Sequence, residues 1–330
     1  MKALVYTAPK QMLYRDEPEP PVGPGEVLLG IDAVGICGSD MHAYHGHDPR
    51  RVPPLILGHE LTGTILEGPG KGRRVTVNPL ITCGTCEFCV QGRNNLCANR
   101  TMIGMTRPGG FAERMAIPAS SLIDIPQDMD PKQAALTEPA ATALHAVNLA
   151  MRALARPLPE ANALVIGGGA IGLLTALLLR AYGCRDIRLG ETNRLRRASA
   201  EKTGAAQVFD PLATGIAENS ATLVVDAVGG KATREAALKA VKPGGVVMHI
   251  GLQDWASEID MRKLTLSEIT LIGTYTYSAA DLRAAVNALY RDVFGSLDWV
   301  EVRPLGEGPR AFADLDQGRV AAAKIVLRPH

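Results

Sequence analysis

The first part of the chain, up to about residue 137, alternates short apolar runs with turns rich in glycine and proline. Clear examples of such runs are Lys2–Tyr6, Gly25–Asp32 and Arg74–Asn78. Short runs of this composition, bounded by turn residues, indicate β-strands. This part is therefore predicted to form a β-rich barrel or sandwich.

From about Glu138 onward the pattern changes to apolar strands that do not alternate with polar residues. These strands are predicted at Ala163–Ile166, Ile187–Leu189, Leu223–Val225 and Val246–Ile250. They are separated by helical runs at Ile171–Tyr182, Arg194–Thr203 and Thr233–Val241. Because strands that are buried on both faces lose the polar alternation, this order predicts a parallel sheet covered by helices.

The end of the chain changes character again. A helix is predicted at Ala279–Tyr290, and the tail Trp299–His330 is strand-like and is expected to return to the first domain. We therefore predict an α/β protein of two domains. Residues 1–138 with 277–330 form the β-rich domain, and residues 139–276 form the parallel-sheet domain.

Composition narrows the class of protein. The 330 residues are 46% hydrophobic and 21% charged, with a net charge of +1, so no overall field attracts nucleic acid or an anionic membrane. The first residues lack the apolar core of a signal peptide. The stretch Ala161–Leu179 is apolar enough to resemble a membrane span, but its glycines indicate the glycine-rich turn described below. We expect a cytoplasmic protein with neither a nucleic acid nor a membrane as partner.

Four of the six cysteines lie within fifteen residues, at Cys83, Cys86, Cys89 and Cys97. Four thiolates on one short loop fit tetrahedral zinc, which requires four donors about 2.3 Å from the metal. A pair of disulfides is the alternative, and it is weak for a chain without a secretion signal and with little other cysteine. The cluster predicts a structural zinc site.

A glycine-rich segment follows the predicted strand Ala163–Ile166 and opens a helix. Its sequence, Gly167-Gly-Gly-Ala170-Ile171-Gly172, matches G-x-G-x-x-G, which alone is weak but is specific in this context. Gly167 allows the tight turn, Gly169 the close approach of a pyrophosphate and Gly172 close packing of helix on sheet. The helix N-terminus then presents free N–H groups to phosphate. A dinucleotide site is predicted here.

Glu191 lies nineteen residues after Gly172, at the end of the next strand. An acid at this place accepts hydrogen bonds from the adenosine ribose hydroxyls and repels a 2′-phosphate, which favours NAD over NADP. NADP remains an alternative, because a nearby arginine could bind its 2′-phosphate. The candidates are Arg194, Arg196 and Arg197, of which Arg196 is assigned to the cofactor site. Val228 and Ile250, near the ends of later strands, are predicted to line the same site.

A second metal site is predicted upstream. Cys37 and His59 are donors of the type that zinc selects, and Glu138 offers a third donor from the junction between the domains. Three protein ligands with one open position are typical of catalytic zinc. Asp40 is expected to orient His59 by accepting its second ring N–H.

These motifs together resemble the zinc-dependent medium-chain alcohol dehydrogenases, and within them the polyol branch of sorbitol, butanediol and threonine dehydrogenases. The shared features are Gly35-Ile-Cys-Gly-Ser-Asp-Met-His42, Gly58-His-Glu60, the four-cysteine lobe and Glu138-Pro139, in the same order along the chain. The resemblance implies a GroES-like catalytic domain wrapped in sequence around a Rossmann domain. It also implies a homodimer or a homotetramer.

By position, the resemblance assigns further roles. Ser39 matches the hydroxyl that touches the substrate alcohol, and His42 matches the outer end of a proton relay. Glu60 matches a residue that coordinates the zinc directly or exchanges with water, and Thr142 one that packs against the nicotinamide. Thr276 departs from the arginine that sorbitol dehydrogenases carry there, which argues against sorbitol itself.

We therefore expect an oxidoreductase with two zincs per chain, which transfers a hydride between a secondary, polyol-like alcohol and NAD and yields a ketone. Zinc as a Lewis acid would lower the pKa of the substrate hydroxyl. Two alternatives are an NADPH-dependent reductase on the same fold and a non-catalytic protein that binds NAD(P) or zinc. Only a catalyst needs Cys37, His59, Glu138, Ser39 and His42 together. The resemblance places Met105 and Arg107 on the loop that lines the substrate pocket in the family, with packing in the core as the alternative for Met105.

Overall fold

The computed structural model describes residues 1–329, and their strands account for most of the predicted apolar runs. The strands are β1 (Lys2–Ala8), β2 (Gln11–Asp16), β3 (Glu26–Gly35), β4 (Leu55–Ile56), β5 (Glu60–Glu67), β6 (Arg74–Val77), β7 (Leu80–Ile81), β8 (Thr101–Met102), β9 (Arg114–Pro118), β10 (Leu122–Asp124), β11 (Asn162–Ile166), β12 (Asp186–Gly190), β13 (Gln207–Phe209), β14 (Ala221–Asp226), β15 (Val241–His249), β16 (Thr270–Gly273), β17 (Val300–Pro304) and β18 (Lys324–Arg328).

The helices lie mainly in the second half of the chain. They are α1 (Gly38–Tyr44), α2 (Glu87–Val90), α3 (Pro131–Ala135), α4 (Thr137–Ala153), α5 (Ala170–Ala181), α6 (Arg194–Lys202), α7 (Pro211–Thr214), α8 (Lys231–Ala240), α9 (Met261–Leu266), α10 (Ala279–Tyr290) and α11 (Gly308–Asp316). Within residues 1–329, none of these helices is both long and apolar enough to cross a membrane.

The β-rich part is built around β3. This strand buries every second residue over most of its length, and it pairs with β5 and β9 in antiparallel register. The largest sheet has the order β10-β6-β5-β3-β18-β17, with β9 also paired to β3, and β2-β1-β4 forms a smaller sheet beside it. The inward residues of these strands share one apolar core. The predicted β-rich architecture is therefore confirmed.

The second half forms a parallel sheet with the strand order β13-β12-β11-β14-β15-β16. This is the order of a Rossmann sheet, in which successive strands are first added on one side of β11 and then, from β14 onward, on its other side. Separate apolar clusters cover the two faces, as the unalternating strands predict. One predicted boundary is wrong: Val241 does not end α8 but begins β15.

The tail returns to the β-rich part, as predicted. β18 pairs with β3 in antiparallel register, Val326 opposite Gly35, and β17 runs parallel to β18. The helix α11, which the strand-like pattern did not predict, lies between them. α10 packs on α4. The division of the chain at residues 138 and 276 stays a prediction.

Candidate active site

Cys37 lies where β3 has ended and α1 begins. Its sulfur accepts a hydrogen bond from the backbone N–H of Ser39 at 3.5 Å, and its own N–H donates to Asp40 Oδ2 at 3.0 Å. The residue therefore caps the helix, and both the backbone and a buried carboxylate fix its position. The sulfur is held at the start of a short helix that also carries Ser39 and His42.

His59 and Glu60 reach Cys37 through the pairing of β3 with β5, which sets Glu60 opposite Gly35. Donor atoms of Cys37, His59 and Glu60 all lie within 4.8 Å of one another, and His59 and Glu60 are only 2% and 1% exposed. A partly buried thiol that converges with a buried imidazole and a buried carboxylate forms a donor set that suits zinc. The β-sheet register thus assembles a candidate metal site from residues 22 and 23 positions apart along the chain.

Asp40 lies on the Nδ1 side of the His59 ring. Its Oδ1 lies 3.5 Å from His59 Nδ1, and neither atom has another hydrogen-bond partner within residues 1–329. Burial by itself lowers the pKa of His59, but the charges of Asp40 and Cys37 outweigh it and raise that pKa well above its usual value. With Nδ1 turned to Asp40, the other ring nitrogen, Nε2, is the one left for a metal.

Glu138 lies at the start of α4 and outside the group formed by Cys37, His59 and Glu60. It is 6% exposed, and burial raises its pKa to about 7. Burial and the nearby Glu138 raise the pKa of the hydroxyl of Tyr277, a residue of the segment after β16, and this hydroxyl has no hydrogen-bond partner among the described residues. The Glu138 carboxylate has no salt-bridge partner among residues 1–329, although the charges of His59 and Lys324 act on it and oppose the rise in its pKa.

Lys324, at the start of β18, was not predicted as a site residue. Its Nζ lies 2.7 and 2.6 Å from the two carboxylate oxygens of Glu60 and donates to the carbonyl of Ile36 at 2.8 Å. Both side chains are buried, with exposures of 4% and 1%. The charge of Glu60 is therefore already balanced by a lysine, in contrast to that of Glu138.

Ser39 has a second partner that the sequence did not indicate. Its Oγ lies 3.4 Å from His59 Nε2 and accepts a hydrogen bond from Arg51 Nη2 at 3.1 Å. His42 lies one turn further along α1, and burial lowers its pKa, which disfavours the charged form of the ring. Arg107, predicted at the substrate pocket, is instead engaged by Glu26 at 2.8 Å.

The four-cysteine loop has the geometry of a zinc site. The Sγ atoms of Cys83 and Cys89 are 4.0 Å apart, those of Cys83 and Cys97 3.6 Å, and all four lie within 4.8 Å. Four sulfurs placed 2.3 Å from a tetrahedral metal are about 3.8 Å from one another. Backbone N–H groups of Thr85 and Cys86 lower the pKa of Cys83 to about 6, which favours the thiolate. The disulfide alternative does not fit, because all six cysteines are free.

The cysteine lobe also contacts the segment that leads to Tyr277. Asn95 Nδ2 donates to the carbonyl of Tyr275 at 2.8 Å, and the Arg100 guanidinium lies 4.7 Å from the centre of the Tyr275 ring. Asn95 is only 4% exposed. The lobe therefore holds the segment whose Tyr277 reaches Glu138.

The glycine-rich segment forms the predicted turn between β11 and α5. Gly167 has φ of 101°, a conformation that favours glycine, and Gly169 is the N-cap of α5. A Cβ on Gly172 would lie 1.8 Å from the carbonyl oxygen of Gly167, so only glycine permits this packing. The free N–H groups at the start of α5 lie at the carboxyl end of the sheet, where such sheets bind nucleotides.

Glu191 follows β12 beside this turn and is 4% exposed. Its carboxylate accepts from the N–H groups of Gly168 at 2.9 Å and Asn193 at 2.7 Å, and it pairs with Arg196 at 3.2 Å. These contacts hold the carboxylate at the mouth of the glycine turn. Arg197 pairs instead with Asp210 at 2.9 Å.

The remaining predicted cofactor contacts lie along the same edge of the sheet. Val228 follows β14, Ile250 follows β15, and both backbones are held by Asp226, through its Oδ1 and its carbonyl respectively. Ala170 and Ile171 are the first residues of α5. Thr142 lies one turn after Glu138 on α4 and is partly buried.

Comparison with known proteins agrees with this arrangement. A profile of the alcohol dehydrogenase GroES-like domain matches residues 23–127, and one of zinc-binding dehydrogenases matches residues 170–291. The L-galactonate-5-dehydrogenase of Escherichia coli K12 is 31% identical over 297 residues, which cover 85% of each chain. The chain belongs to the zinc-dependent medium-chain alcohol dehydrogenase family.

Two further relatives extend the comparison. The L-threonine 3-dehydrogenase of Thermococcus kodakarensis is 33% identical over 290 residues, 81% of this chain and 79% of that one. A solved structure described as a zinc-binding dehydrogenase from Sinorhizobium meliloti 1021, bound to NADP, superposes with a TM-score of 0.86 at 31% identity and covers 99% of each chain.

Family membership confirms several predictions. The β-rich part is GroES-like, and the protein is a zinc-dependent, NAD(P)-linked oxidoreductase that acts on alcohols. An enzyme is therefore favoured over a non-catalytic binding protein. The individual site residues, which the comparisons do not test, stay predictions.

Cys97→Ser tests the lobe, with Cys184→Ser as the matched control, because both thiols are fully buried and only Cys97 lies in the cluster. We expect Cys97→Ser to lose one zinc equivalent and to lower Tm by more than about 5 °C, since a structural zinc contributes directly to folding. Cys184→Ser should keep its zinc content. Metal analysis and calorimetry measure both. A Cys97→Ser protein with unchanged metal and Tm would refute the assignment.

Proposed function

We propose that this enzyme oxidises a secondary, polyol-like alcohol to a ketone with NAD, at a zinc held by Cys37, His59 and a carboxylate. The observation that carries the proposal is that donor atoms of Cys37, His59 and Glu60 lie within 4.8 Å of one another, beside the hydroxyl of Ser39. When bound, zinc supplies a Lewis acid and the nicotinamide a hydride acceptor. The protein side chains position the alcohol and carry its proton.

Charge balance favours Glu138 as the carboxylate ligand. Glu60 is already neutralised by Lys324, whose Nζ contacts both of its oxygens. Glu138 is buried and has no salt-bridge partner among the described residues, and a buried carboxylate without such a partner is costly to ionise. A zinc ion held by Cys37 and His59 would provide that partner. Glu60 would then keep its ion pair with Lys324.

Ser39 and His42 are proposed to carry the proton of the alcohol. They lie three residues apart on α1 and so on one face of the helix. Ser39 Oγ is the hydroxyl next to His59 Nε2, where a substrate oxygen would approach the metal. His42 is partly buried, and burial lowers its pKa, which favours the neutral imidazole that a proton acceptor requires. The ribose hydroxyl of the cofactor would connect the two.

The substrate is proposed to be a polyhydroxylated alcohol, with hydroxy acids among the first candidates. The relatives carry the names of a galactonate dehydrogenase and a threonine dehydrogenase, which act on secondary alcohols of acids. Thr276 takes the place of the arginine typical of sorbitol dehydrogenases. Both observations support a substrate other than sorbitol.

NAD is proposed as the cofactor. Glu191 is held at the mouth of the glycine turn by two N–H groups, where the adenosine ribose would lie. The carboxylate of Glu191 pairs with Arg196 at 3.2 Å. This ion pair engages an arginine that could otherwise bind a 2′-phosphate. The solved Sinorhizobium meliloti relative is bound to NADP, so a preference of this enzyme for NADP is the outcome that an experiment must exclude.

The enzyme is proposed to be a homodimer through the free edge of the parallel sheet. Within residues 1–329, β16 pairs only with β15, which leaves its other edge open. Large apolar side chains are exposed around this edge, at Leu252, Trp255, Met261, Leu266 and Leu271. Because two copies related by a twofold axis would satisfy both edges, this surface suits a second copy of the chain.

A cytoplasmic location is also proposed. All six cysteines are free, and the four-cysteine site requires thiolates rather than disulfides. Such a site is compatible with a reducing compartment.

A panel of diols, sugar alcohols, sugar acids and hydroxy-amino acids, assayed with NAD and with NADP, tests the reaction. We expect reduction of NAD by at least one secondary polyol or hydroxy acid, followed by its absorbance. Ser39→Ala should keep both zincs and NAD affinity but slow oxidation about 10²–10⁴-fold, since the proton loses its acceptor. Near-normal activity of Ser39→Ala would contradict the relay while leaving the metal site standing.

Cofactor choice should respond to Glu191. Replacing it with Ser removes the charge that opposes a 2′-phosphate and frees Arg196, so the NADP to NAD ratio of kcat/KM should rise at least about tenfold. Glu201→Ser, on the exposed part of the same helix α6, is the control and should leave the ratio unchanged. A wild-type enzyme that already prefers NADP would show this interpretation of Glu191 to be wrong.

The dimer is tested by a charge on the open edge. Light scattering of the wild type should give about twice the chain mass of 35.0 kDa. Leu271→Lys should give a monomer, because a charged residue on an edge strand opposes pairing. Leu212→Lys, at a position that is 81% exposed on α7, is the control. A dimer that survives Leu271→Lys would rule out this interface.

A further inference from the structure

Arg51 is a buried arginine in the segment between α1 and β4. Its side chain has no solvent exposure, although arginine is rarely buried in proteins. Neither the metal-site pattern nor the dinucleotide motif includes it. A charge that is buried in this way needs partners for each of its N–H groups.

The partners of Arg51 converge on Ser39. Nη1 donates to the carbonyl of Ser39 at 2.7 Å and contacts Asp48 Oδ2 at 3.1 Å, while Nη2 donates to Ser39 Oγ at 3.1 Å. Nε donates to the carbonyl of Gly104 at 3.0 Å. The guanidinium thus binds both the carbonyl and the hydroxyl of Ser39, and it connects them to Asp48 and to the backbone of Gly104.

This contact fixes the direction of the Ser39 hydroxyl. An arginine only donates, so Ser39 Oγ must accept from it and direct its own proton elsewhere. Ser39 Oγ also lies 3.4 Å from His59 Nε2, on the side of the proposed metal. With one lone pair taken by Arg51, the second lone pair of Oγ is available to the proton of the substrate alcohol, while the proton of the Ser39 hydroxyl can pass on toward the cofactor ribose and His42.

The same contact favours charge on Oγ. A fixed cation next to a hydroxyl stabilises negative charge that develops on its oxygen while a proton is in transit, and arginine keeps its charge throughout. Asp48, which is 7% exposed and is shared with Arg50, balances the cation at Nη1, whereas Nη2 is the atom that donates to Ser39 Oγ. The carboxylate therefore holds the guanidinium in place without taking the N–H group that serves the Ser39 hydroxyl.

We propose that Arg51 is a positioning residue of the proton relay, which orients the Ser39 hydroxyl and stabilises its oxygen during proton transfer. The inference rests on the proposed role of Ser39 as the first proton acceptor. In this role, Arg51 affects the rate of alcohol oxidation, and it does so only through Ser39. An arginine with a purely structural role would affect the stability of the protein, and its effect on the rate would not depend on Ser39.

Arg51→Ala is the principal variant, and Arg50→Ala is its matched control. Arg50 pairs with the same Asp48, through Nε at 2.8 Å, but has no hydrogen bond to Ser39. We expect Arg51→Ala to lower kcat about tenfold to a hundredfold, with KM changed far less, at unchanged zinc content. Arg50→Ala should have nearly wild-type kcat. Millimolar guanidinium should restore part of the activity of Arg51→Ala and none of that of Ser39→Ala.

Combining the variants distinguishes positioning from plain destabilisation. If Arg51 acts through Ser39, the double variant Ser39→Ala/Arg51→Ala should be no slower than Ser39→Ala alone. Chemical denaturation of the wild type, the two single variants and the double variant gives a readout apart from activity. The losses in free energy of unfolding caused by the two substitutions should not add, because the Nη2–Oγ hydrogen bond can be lost only once. If Arg51→Ala fails to fold, Arg51→Lys replaces it, and it should be slower than Arg50→Ala since an ammonium lacks the planar fork.

Each outcome has one meaning. Slow Ser39→Ala and Arg51→Ala proteins whose effects do not add would support the proposal. A slow Ser39→Ala with an Arg51→Ala as active as Arg50→Ala, or with a double variant slower by the product of both effects, would overturn the role of Arg51 alone. A nearly wild-type Ser39→Ala would overturn the relay itself.

Discussion

The ion pair between Lys324 and Glu60 is the contact on which the candidate active site depends. Both groups are buried, and removing one partner of such a pair costs about 3–5 kcal/mol because the other charge is left without compensation. Lys324 also donates to the carbonyl of Ile36, next to Cys37, and its strand β18 pairs with β3. The C-terminal strand must therefore return to the first domain before Cys37, His59 and Glu60 can adopt this arrangement.

The same ion pair separates the roles of the two buried carboxylates. Glu60 is paired with Lys324 from the side of the β-sheet, whereas Glu138, at the start of α4, has no salt-bridge partner among the described residues. The charge of Glu138 contributes, after burial, to the raised pKa of Tyr277, and the cysteine lobe holds the neighbouring Tyr275 through Asn95. The candidate metal site is thus bordered by both parts of the chain, and the lobe stabilises the segment between them.

Features that are local in sequence could be predicted, and long-range contacts could not. The four cysteines, the glycine turn and Glu191 have spacings that chemistry imposes, so they stand out without a structure. Lys324 contacts Glu60 across 264 residues, a relation set by the register of β18 on β3, and a single lysine carries no spacing signal. The contact of Arg51 with Ser39 likewise depends on how the segment after α1 folds back onto that helix. The strand-like pattern of the tail does not predict α11, because the packing of Ala311 and Phe312 in the core of the β-rich part decides the structure of that segment.

The central claim is that this chain holds a catalytic zinc between Cys37, His59 and Glu138, separate from the zinc of the cysteine lobe. Anomalous difference maps from crystals of the NAD complex, recorded above and below the zinc edge, test it most directly. We predict two peaks per chain, one among the four cysteines and one bonded to Cys37 Sγ, His59 Nε2 and Glu138, with Glu60 still paired to Lys324. A single peak in the cysteine lobe, from protein that is active and supplied with zinc, would contradict the account.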